Sequence, residues 1–208
     1  MLGMAADKCN MITLHIGSGS SLCAIRGGQS IDTTMGMTPL EGVVMGTRCG
    51  SVDPAIATYL QRGAGLTPDQ VDEVMTKKSG LLGLYEKSFD ARDIRDAASH
   101  GDAKAALAQN VMFYSIKKAL GAYLAVLNPL HALVFTAGQG ERAPEMRAAV
   151  LDGLDHLGIA YDPALNAISA GGNPQDVEIT AKNSKVRILV VQTNEELEIA
   201  GQTLALIQ

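Results

Sequence analysis

The pattern of apolar and polar positions at the start of the chain predicts three β-strands. Residues 11–16 alternate between apolar and polar side chains, which is typical of a strand with one buried face. The two-glycine turn Gly27-Gly28 separates the next two strand-like segments, at 21–26 and 29–34, and favours a hairpin. We therefore predict an antiparallel β-meander, followed by a Gly-, Thr- and Pro-rich loop over 35–50.

Capping residues in the rest of the sequence mark the starts of several predicted helices. Asp53-Pro54 and Thr67-Pro68 each put a capping side chain before a proline that suits the first turn of a helix. The predicted helices cover 53–61, 67–78, 90–99, 102–127, 145–157 and 195–207, the fifth of them stopped by Gly158. In the longest helix an apolar stripe is formed by Ala106, Val111, Phe113, Leu120, Leu124 and Leu127. Buried strands are predicted over 132–136 and 186–191.

This order of elements, three strands and several helices followed by strand, helix, strand and helix, predicts an α/β fold. No linker divides the chain, so we predict a single domain over residues 1–208, with a late loop at 170–176. The uncharged stretch 119–138 is long enough to cross a membrane, but Asn128-Pro129 interrupts it. We therefore expect a helix that ends near Leu127 and a buried strand after it, rather than a membrane span.

Charge and cysteine content narrow the functional classes. The formal net charge of −5 does not favour binding to DNA or RNA, which requires clustered Lys and Arg. Cys9, Cys23 and Cys49 are odd in number and widely spaced, so they indicate free thiols rather than a disulfide framework or a zinc site. Because no basic segment followed by an apolar one marks a signal peptide, we expect a cytoplasmic protein.

Three turns that follow predicted strands carry glycine or small polar residues, at 17–21, 138–140 and 193–195. Glycine lets backbone N–H groups approach a phosphate closely, and a helix N-terminus that follows adds a favourable dipole. Any one of these turns could be only a tight turn, but their recurrence favours an anion site. The absence of a G-x-x-x-x-G-K-[ST] sequence argues against a P-loop enzyme.

One of these turns also allows a dinucleotide-binding alternative. Gly138-x-Gly140-x-x-Ala143 follows a predicted strand and precedes a predicted helix, as a Rossmann fingerprint does, and Asp162 stands near the expected acidic position. A Rossmann domain usually begins with this unit, whereas here a meander precedes it. The hypothesis of an NAD-dependent oxidoreductase therefore rests on this turn alone.

The loop at 36–50 distinguishes these hypotheses. Its sequence, GMTPLEGVVMGTRCG, resembles the signature loop of the acetokinase family, which comprises acetate, propionate and butyrate kinases. Further segments that resemble family motifs, in the same order, lie at 14–21, 31–36, 53–55, 88–93, 135–141 and 193–197. The resemblance covers nearly the whole chain and is to the C-terminal half of the family's enzyme. It implies that the N-terminal half, with most of the carboxylate pocket, is absent from these residues.

The resemblance implies a fold, a reaction and partners. The fold would be that of the actin-like ATPase superfamily, which includes sugar kinases and Hsp70 and has a ribonuclease H-like core. The complete enzyme would transfer the γ-phosphoryl group of ATP to acetate or a similar short carboxylate, reversibly and with Mg²⁺. It would be a homodimer. The chain alone would bind ATP or ADP and would be inactive or weakly active as a kinase.

The resemblance also implies roles for individual residues. Arg48 matches an arginine that clamps the transferring phosphoryl group, and a planar guanidinium can bond two of its oxygens. His15 matches a catalytic histidine near the phosphates. The implied nucleotide-binding residues are His15, Gly17, Ser18, Gly19, Asp90, Ala91, Arg92, Gly138, Gln139, Gly140, Glu141 and Arg142. Glu195 matches a magnesium-linked acid, in agreement with the preference of Mg²⁺ for carboxylate and water oxygens.

Alternative roles stay open at several of these positions. His15 could be a core histidine on a strand, and Asp90 could be a helix N-cap. The family usually has asparagine where Ser18 stands, which alters one phosphate contact. It also usually has asparagine where Arg142 stands, and the segment 86–88 is unusual; these two changes leave ATP and another phosphoanhydride, such as pyrophosphate, open as the donor. A different class of function, a non-catalytic nucleotide-binding or dimer-forming module, stays open as well.

Overall fold

The computed structural model describes residues 1–168 and 176–207, which contain a six-stranded mixed β-sheet. The strands are β1 Asn10–Ile16, β2 Ser20–Arg26, β3 Gln29–Thr33, β4 Ala132–Thr136, β5 Val177–Glu178 and β6 Arg187–Val190, in the order β3-β2-β1-β4-β6-β5. β1, β2 and β3 form the predicted antiparallel meander, β4 and β6 run parallel to β1, and β5 is antiparallel to β6. Each strand predicted from the sequence is confirmed to within one residue.

Helices fill the segment between β3 and β4 and follow β4 and β6. They are α1 Ala55–Ala64, α2 Pro68–Lys77, α3 Gly80–Tyr85, α4 Ala91–Ser99, α5 Ala103–Val126, α6 Ala137–Arg142, α7 Pro144–Leu151, α8 Pro163–Ile168 and α9 Glu195–Ile207. Short 3₁₀ turns form at Ala6–Lys8 and Asp155–Leu157. The sequence pattern does not predict α3, α6 or α8, which are six residues long each.

The capping residues predicted from the sequence begin several of these helices. Thr67 forms a capping box at the start of α2, in which its Oγ1 accepts from the third helical N–H group. Asp90 and Asp102 accept backbone N–H groups at the starts of α4 and α5. Asp53 Oδ1 accepts the N–H of Ala55 across 2.9 Å, but the N-cap of α1 is Pro54, so α1 begins one residue later than Asp53-Pro54 predicts.

The central strand β1 separates the buried core from the face that carries His15. Ile12, Leu14 and Ile16 alternate along β1, are fully buried, and join one apolar cluster with Phe135 of β4 and with α5. Because successive side chains of a strand point to opposite faces, His15 points away from this cluster. The interpretation of His15 as a residue of this core is therefore wrong.

The buried face of α5 differs from the predicted stripe. The buried side chains are Ala105, Ala108, Met112, Ile116, Leu120 and Tyr123, whereas Ala106, Val111, Phe113 and Leu124 are half-buried. α5 packs against α3, α4, α7 and β2. A helix with neighbours on several sides has no single amphipathic stripe, so the spacing of its apolar residues does not reveal which positions are buried most deeply.

The predicted helix over 145–157 is wrong in its second half. α7 ends at Leu151, because Gly153 follows with a positive φ of 70° and supplies the left-handed residue that commonly ends a helix. Leu154 is buried beyond this turn, and a separate 3₁₀ turn then ends at Gly158, whose φ is 78°. Gly158 is thus a stop, as predicted, but for a different element.

The remaining predictions concern the late loop and the uncharged stretch. Most of the late loop, 170–175, lies outside the described residues. The uncharged stretch 119–138 divides between the end of α5, β4 and the start of α6. Across 1–168 and 176–207 the structure contains no helix that combines the length and the apolar character needed to cross a membrane.

Candidate active site

Two joined cavities lie at the edge of the sheet where the parallel strands β1, β4 and β6 end. The larger cavity has a volume of about 870 Å³ and the smaller one about 460 Å³. They share Gly17, Ser18, Gly138 and Arg142, so they form one continuous depression. The carboxyl ends of parallel strands are where α/β proteins commonly bind ligands, because the loops there diverge to opposite faces of the sheet.

Most of the residues predicted from the sequence come together around these cavities. The larger cavity is lined by His15, Gly17, Ser18, Gly19, Gly138, Glu141, Arg142 and Glu195, among others. The smaller cavity is lined by Gly17, Ser18, Asp90, Ala91, Arg92, Gly138, Gln139 and Arg142, among others. Only Arg48 and Gly140 of the predicted residues line neither cavity. The site is therefore assembled from segments separated by more than a hundred residues of sequence.

The turn after β1 forms one wall of the larger cavity. Gly17 N–H donates to the carbonyl oxygen of Gly19 across 3.1 Å, and the buried Ser20 hydroxyl donates to the carbonyl oxygen of Gly17 across 3.2 Å. A Cβ atom at Gly17 would lie 3.5 Å from the Cβ of Ala137, at the start of α6. The turn after β1 and the start of α6 therefore lie side by side, within van der Waals reach of one added methyl group.

The start of α6 is strained and is fastened to the loop before α9. Ala137 adopts a positive φ of 65°, which costs a residue with a Cβ free energy. Its N–H donates to Thr193 Oγ1 across 3.0 Å, and the Thr193 N–H in turn donates to Glu141 Oε1 across 2.9 Å. Glu141 therefore lines the cavity while its carboxylate holds the loop that leads into α9. Thr193 lies in one of the three turns that the sequence indicates. Its hydrogen bonds to Ala137 and Glu141 could not be predicted from the sequence.

Gly140 has a packing role. A Cβ atom at this position would lie 3.5 Å from the carbonyl oxygen of Leu14 and 3.5 Å from the carbonyl carbon of Phe135. α6 thus packs directly on the backbones of β1 and β4. Gly140 lines neither cavity, and its contact with a nucleotide stays a prediction.

A buried arginine that the sequence analysis does not identify holds the other end of α6. Arg147 is fully buried, and its Nη1 donates to the carbonyl oxygens of Gly140 and Glu141, across 2.7 and 3.0 Å. Its Nε donates to Asn166 Oδ1 across 2.8 Å. The position could have been noticed as a lone arginine within the apolar run of α7, between Met146 and Val150.

Arg48 lies just outside the larger cavity, behind the first glycine turn. A Cβ atom at Gly19 would lie 3.3 Å from Arg48 Nη1, which itself donates to the carbonyl oxygen of Pro39 across 3.0 Å. The guanidinium is therefore adjacent to the cavity wall and turned toward its own loop.

The loop that carries Arg48 rests on the start of α3. The N–H groups of Leu81 and Leu82 donate to the carbonyl oxygens of Met45 and Gly46, each across 2.9 Å. Gly80, with φ of 60°, allows this contact, because a Cβ atom there would lie 2.2 Å from the Met45 carbonyl oxygen. The position of Arg48 therefore depends on a helix that the sequence pattern does not predict.

Asp90 and Arg92 form part of the wall of the smaller cavity. Asp90 caps α4 and also receives the Arg92 guanidinium, with an Nη2–Oδ2 distance of 2.6 Å. These donors, the Arg92 side chain first and its N–H second, lower the pKa of Asp90 to about 2. The capping alternative for Asp90 is thus confirmed, and the residue reaches the cavity at the same time.

Glu195 and Glu196 bring carboxylates to the larger cavity at the start of α9. Among the described residues, no three His, Cys, Asp or Glu side chains are grouped as metal ligands. Mg²⁺ commonly takes only one or two protein carboxylates and completes its octahedron with water and phosphate oxygens. The donors present therefore fit Mg²⁺ held jointly with phosphates.

Asp162 lies away from the site. Its Oδ1 accepts the N–H groups of Ala164 and Leu165, across 2.8 and 3.1 Å, and so caps α8. It lines neither cavity. The dinucleotide-binding alternative requires an acidic residue in the site, whereas Asp162 caps α8 outside it. The structure therefore does not support that alternative.

Fold and site together define an α/β protein with two joined, glycine-lined cavities at the carboxyl edge of a mixed sheet. Comparison with known proteins then identifies the family. A family model described as the Acetokinase family matches residues 1–201, and the chain belongs to this family. The acetate kinases of Dictyoglomus turgidum and Methanosarcina thermophila are 47% and 48% identical to it, and their matches cover 100% of the chain. Those matches cover 50% of each relative, so the chain spans about half the length of the curated relatives it matches.

Solved structures of acetate and propionate kinases agree with this assignment to the family. Porphyromonas gingivalis acetate kinase superposes with a TM-score of 0.91 and 40% identity, over 100% of this chain and 51% of that one. A propionate kinase from Francisella tularensis gives a TM-score of 0.84 and 39% identity, over 92% of this chain and 48% of that one. The predicted α/β fold is therefore confirmed, and it is the fold of the matching half of these two kinases.

Proposed function

We propose that the chain is the nucleotide- and phosphate-binding half of a Mg²⁺-dependent short-chain carboxylate kinase. The observation that carries the proposal is the pair of joined cavities at the ends of β1 and β4, in a chain of the acetokinase family. The reaction is the reversible conversion of ATP and acetate to ADP and acetyl phosphate. A carboxylate oxygen forms a bond to the γ-phosphorus while the bond between that phosphorus and the bridging oxygen of ADP breaks.

The larger cavity suits the phosphates. Gly17, Ser18 and Gly19 bring backbone and hydroxyl groups to one wall, and Gly138 brings the start of α6 to the other. His15 adds an imidazole to the same cavity. Preorganised donors of this kind stabilise the charge on a transferring phosphoryl group without reorganisation during the reaction.

Arg48 lies next to this wall, since a Cβ atom at Gly19 would lie 3.3 Å from its Nη1. We assign it to the transferring phosphoryl group, where a guanidinium can bond two equatorial oxygens in the transition state. Glu195 would hold Mg²⁺ together with the phosphate oxygens, and the ion would neutralise charge on the β- and γ-phosphates. The smaller cavity, with Asp90, Ala91 and Arg92, then receives the nucleoside.

The chain spans about half the length of its relatives, and we propose that it is inactive or weakly active alone. We propose that residues 1–208 form a single domain, that the acetate pocket belongs mostly to the other half of the enzyme, and that the complete enzyme is a cytoplasmic homodimer. A non-catalytic nucleotide-binding or dimer-forming module is the second candidate, favoured by the match to only half of each relative. The two candidates differ in whether the chain supports phosphoryl transfer once the complementary half is supplied.

The test is to fuse the chain to the complementary half of the Methanosarcina thermophila relative and to measure acetyl phosphate formation from ATP and acetate. We expect turnover, and we expect Arg48→Ala to lower kcat by at least about 100-fold with little change in ADP affinity. Arg62→Ala is the matched control, because Arg62 lies on the exposed side of α1 and lines neither cavity. A fusion that folds and binds ADP but transfers no phosphate would support the non-catalytic module instead.

A further inference from the structure

An aromatic ring stands exposed in the smaller cavity. Phe89 lines this cavity and is 59% exposed, although a phenyl ring gains free energy from burial. Within the described part of the chain, Phe89 is the only Phe, Tyr or Trp that lines either cavity. Its exposure leaves an aromatic surface among lining side chains that are mostly polar or small.

The backbone on both sides of Phe89 is fixed by hydrogen bonds. Ser88 Oγ accepts the Asp90 N–H across 3.0 Å and donates to Asp93 Oδ2 across 2.7 Å. Asp90 in turn caps α4. Phe89 therefore stands at the fixed entry to a helix, and a ligand that contacts its ring needs to order little further chain.

Gly46 of the signature loop supports the residue from below. A Cβ atom at Gly46 would lie 3.3 Å from the Phe89 carbonyl oxygen and 3.7 Å from its Cδ2 atom. The missing side chain at Gly46 thus lets the loop pack against the phenyl ring. One edge of the ring is held in this way, while more than half of the residue stays open to the cavity.

The other groups of the smaller cavity suit the edge of a heterocyclic base. Gln109 and Gln139 bring amide groups that can donate and accept hydrogen bonds. Arg95 and Glu145 form an ion pair, with an Nη1–Oε1 distance of 3.2 Å, that links α4 to α7 across the same cavity. The smaller cavity joins the larger one at Gly138, so the two together fit a ligand with a flat apolar end and an anionic end.

We propose that Phe89 is the stacking platform for the base of a purine nucleotide. The inference rests on the proposed function and extends it, because it names the residue that recognises the base. Aromatic side chains stack on every base, and the larger face of a purine gains most from the contact. Phe89 thereby favours a nucleoside diphosphate or triphosphate over a bare phosphoanhydride.

The test compares two probes, Mg·ADP and Mg·pyrophosphate, by calorimetric titration into the 208-residue chain. We expect Phe89→Ala to weaken ADP binding about tenfold or more and to leave pyrophosphate binding within about twofold, since only ADP carries a base. Phe89→Tyr keeps the ring and should restore ADP affinity. Tyr114→Ala is the matched control, since it removes an exposed aromatic ring of α5 that lines neither cavity.

The outcomes separate this inference from the function on which it rests. Equal ADP affinity in the wild type and Phe89→Ala would overturn the stacking role and leave the kinase proposal intact. A parallel loss of both probes would make Phe89 a structural support of the cavity and would overturn it as well. A folded wild-type chain that binds pyrophosphate but not ADP, or neither probe, would contradict the nucleotide-binding proposal itself.

Discussion

The guanidinium of Arg147 lies 2.7 Å from the carbonyl oxygen of Gly140 and fastens the carboxyl end of α6 from inside the protein. Burial lowers the pKa of Arg147 to about 10, so the side chain keeps its positive charge at neutral pH. A cation at the carboxyl end of a helix is favourable, because unsatisfied carbonyl groups concentrate negative charge there. Arg147 thus holds the segment that forms the shared wall of both cavities.

Replacing this arginine should destabilise the protein. We expect Arg147→Met to lower the free energy of unfolding by about 2–4 kcal/mol, because the carbonyl groups of Gly140 and Glu141 lose a buried donor. Urea denaturation measures the change. Arg95→Met is the control: it breaks an exposed ion pair with Glu145 and should cost less than about 1 kcal/mol. If Arg147→Met lowers the free energy of unfolding by less than about 1 kcal/mol, as expected for Arg95→Met, the role assigned to the buried arginine is contradicted.

Gly80 should not tolerate a larger residue, because its φ angle is positive and the backbone of the signature loop lies against it. With φ of 60° and a virtual Cβ 2.7 Å from the Arg48 carbonyl oxygen, Gly80→Ala must push the signature loop away from α3. We expect a loss of about 2 kcal/mol or more in the free energy of unfolding. The matched change Gly121→Ala, in α5 where nothing lies within 4 Å of the new Cβ, should instead raise stability by about 0.5–1 kcal/mol. Two alanine variants of similar stability would refute this explanation.

Local signals in the sequence predict much of the fold. Gly27-Gly28 indicates the hairpin because few other residues adopt its positive φ angles, and both glycines have them. Thr67, Asp90 and Asp102 mark helix starts because their side chains accept N–H groups two or three residues on. Such signals lie within a few residues of the structure they specify, and a single sequence displays them directly.

The parts that escape prediction depend on contacts between distant positions. α6 begins with Ala137, whose left-handed backbone has no local sequence signal and is held by Thr193. In the site, the glycine turns could be predicted from the sequence of the turns themselves. The roles of individual residues could be predicted only from the resemblance to the family. The support of α6 by Arg147 is visible only after α6 and α7 have packed.

Ala137 itself gives a test of strain. Ala137→Gly should raise the free energy of unfolding by about 0.5–1 kcal/mol, because glycine adopts a φ of 65° without the cost of a Cβ. The same substitution in the middle of α7, Ala148→Gly, should lower it by about 1 kcal/mol. Thermal or urea unfolding of both variants measures the difference. If Ala137→Gly destabilises as much as Ala148→Gly, the start of α6 is unstrained.

The ion pair at the start of α4 predicts a dependence of stability on pH. The folded-state pKa of Asp90, about 2, lies below its ordinary value of 3.8, so the carboxylate stabilises the fold above about pH 4. This contribution is lost as pH falls toward 2, where the folded carboxyl group takes up its proton.

Asp90→Asn keeps a cap oxygen but cannot ionise, so its stability should fall less between pH 4 and pH 2 than that of the wild type. Unfolding curves across this range measure the difference. Asp69→Asn, at an exposed position in the first turn of α2, controls for the loss of one negative charge. An unchanged pH profile in Asp90→Asn would contradict the ion pair with Arg92.

The most direct test of the central claim is a calorimetric titration of Mg·ADP into the purified chain, with circular dichroism to verify its fold. The account predicts saturable binding that Gly138→Val weakens by about tenfold or more, because the new side chain projects into the wall shared by both cavities. Gly201→Val, on the exposed helix α9, should leave the affinity unchanged. A folded chain with no saturable heat, or one whose affinity Gly138→Val leaves unaltered, would contradict the claim that these cavities are a nucleotide site.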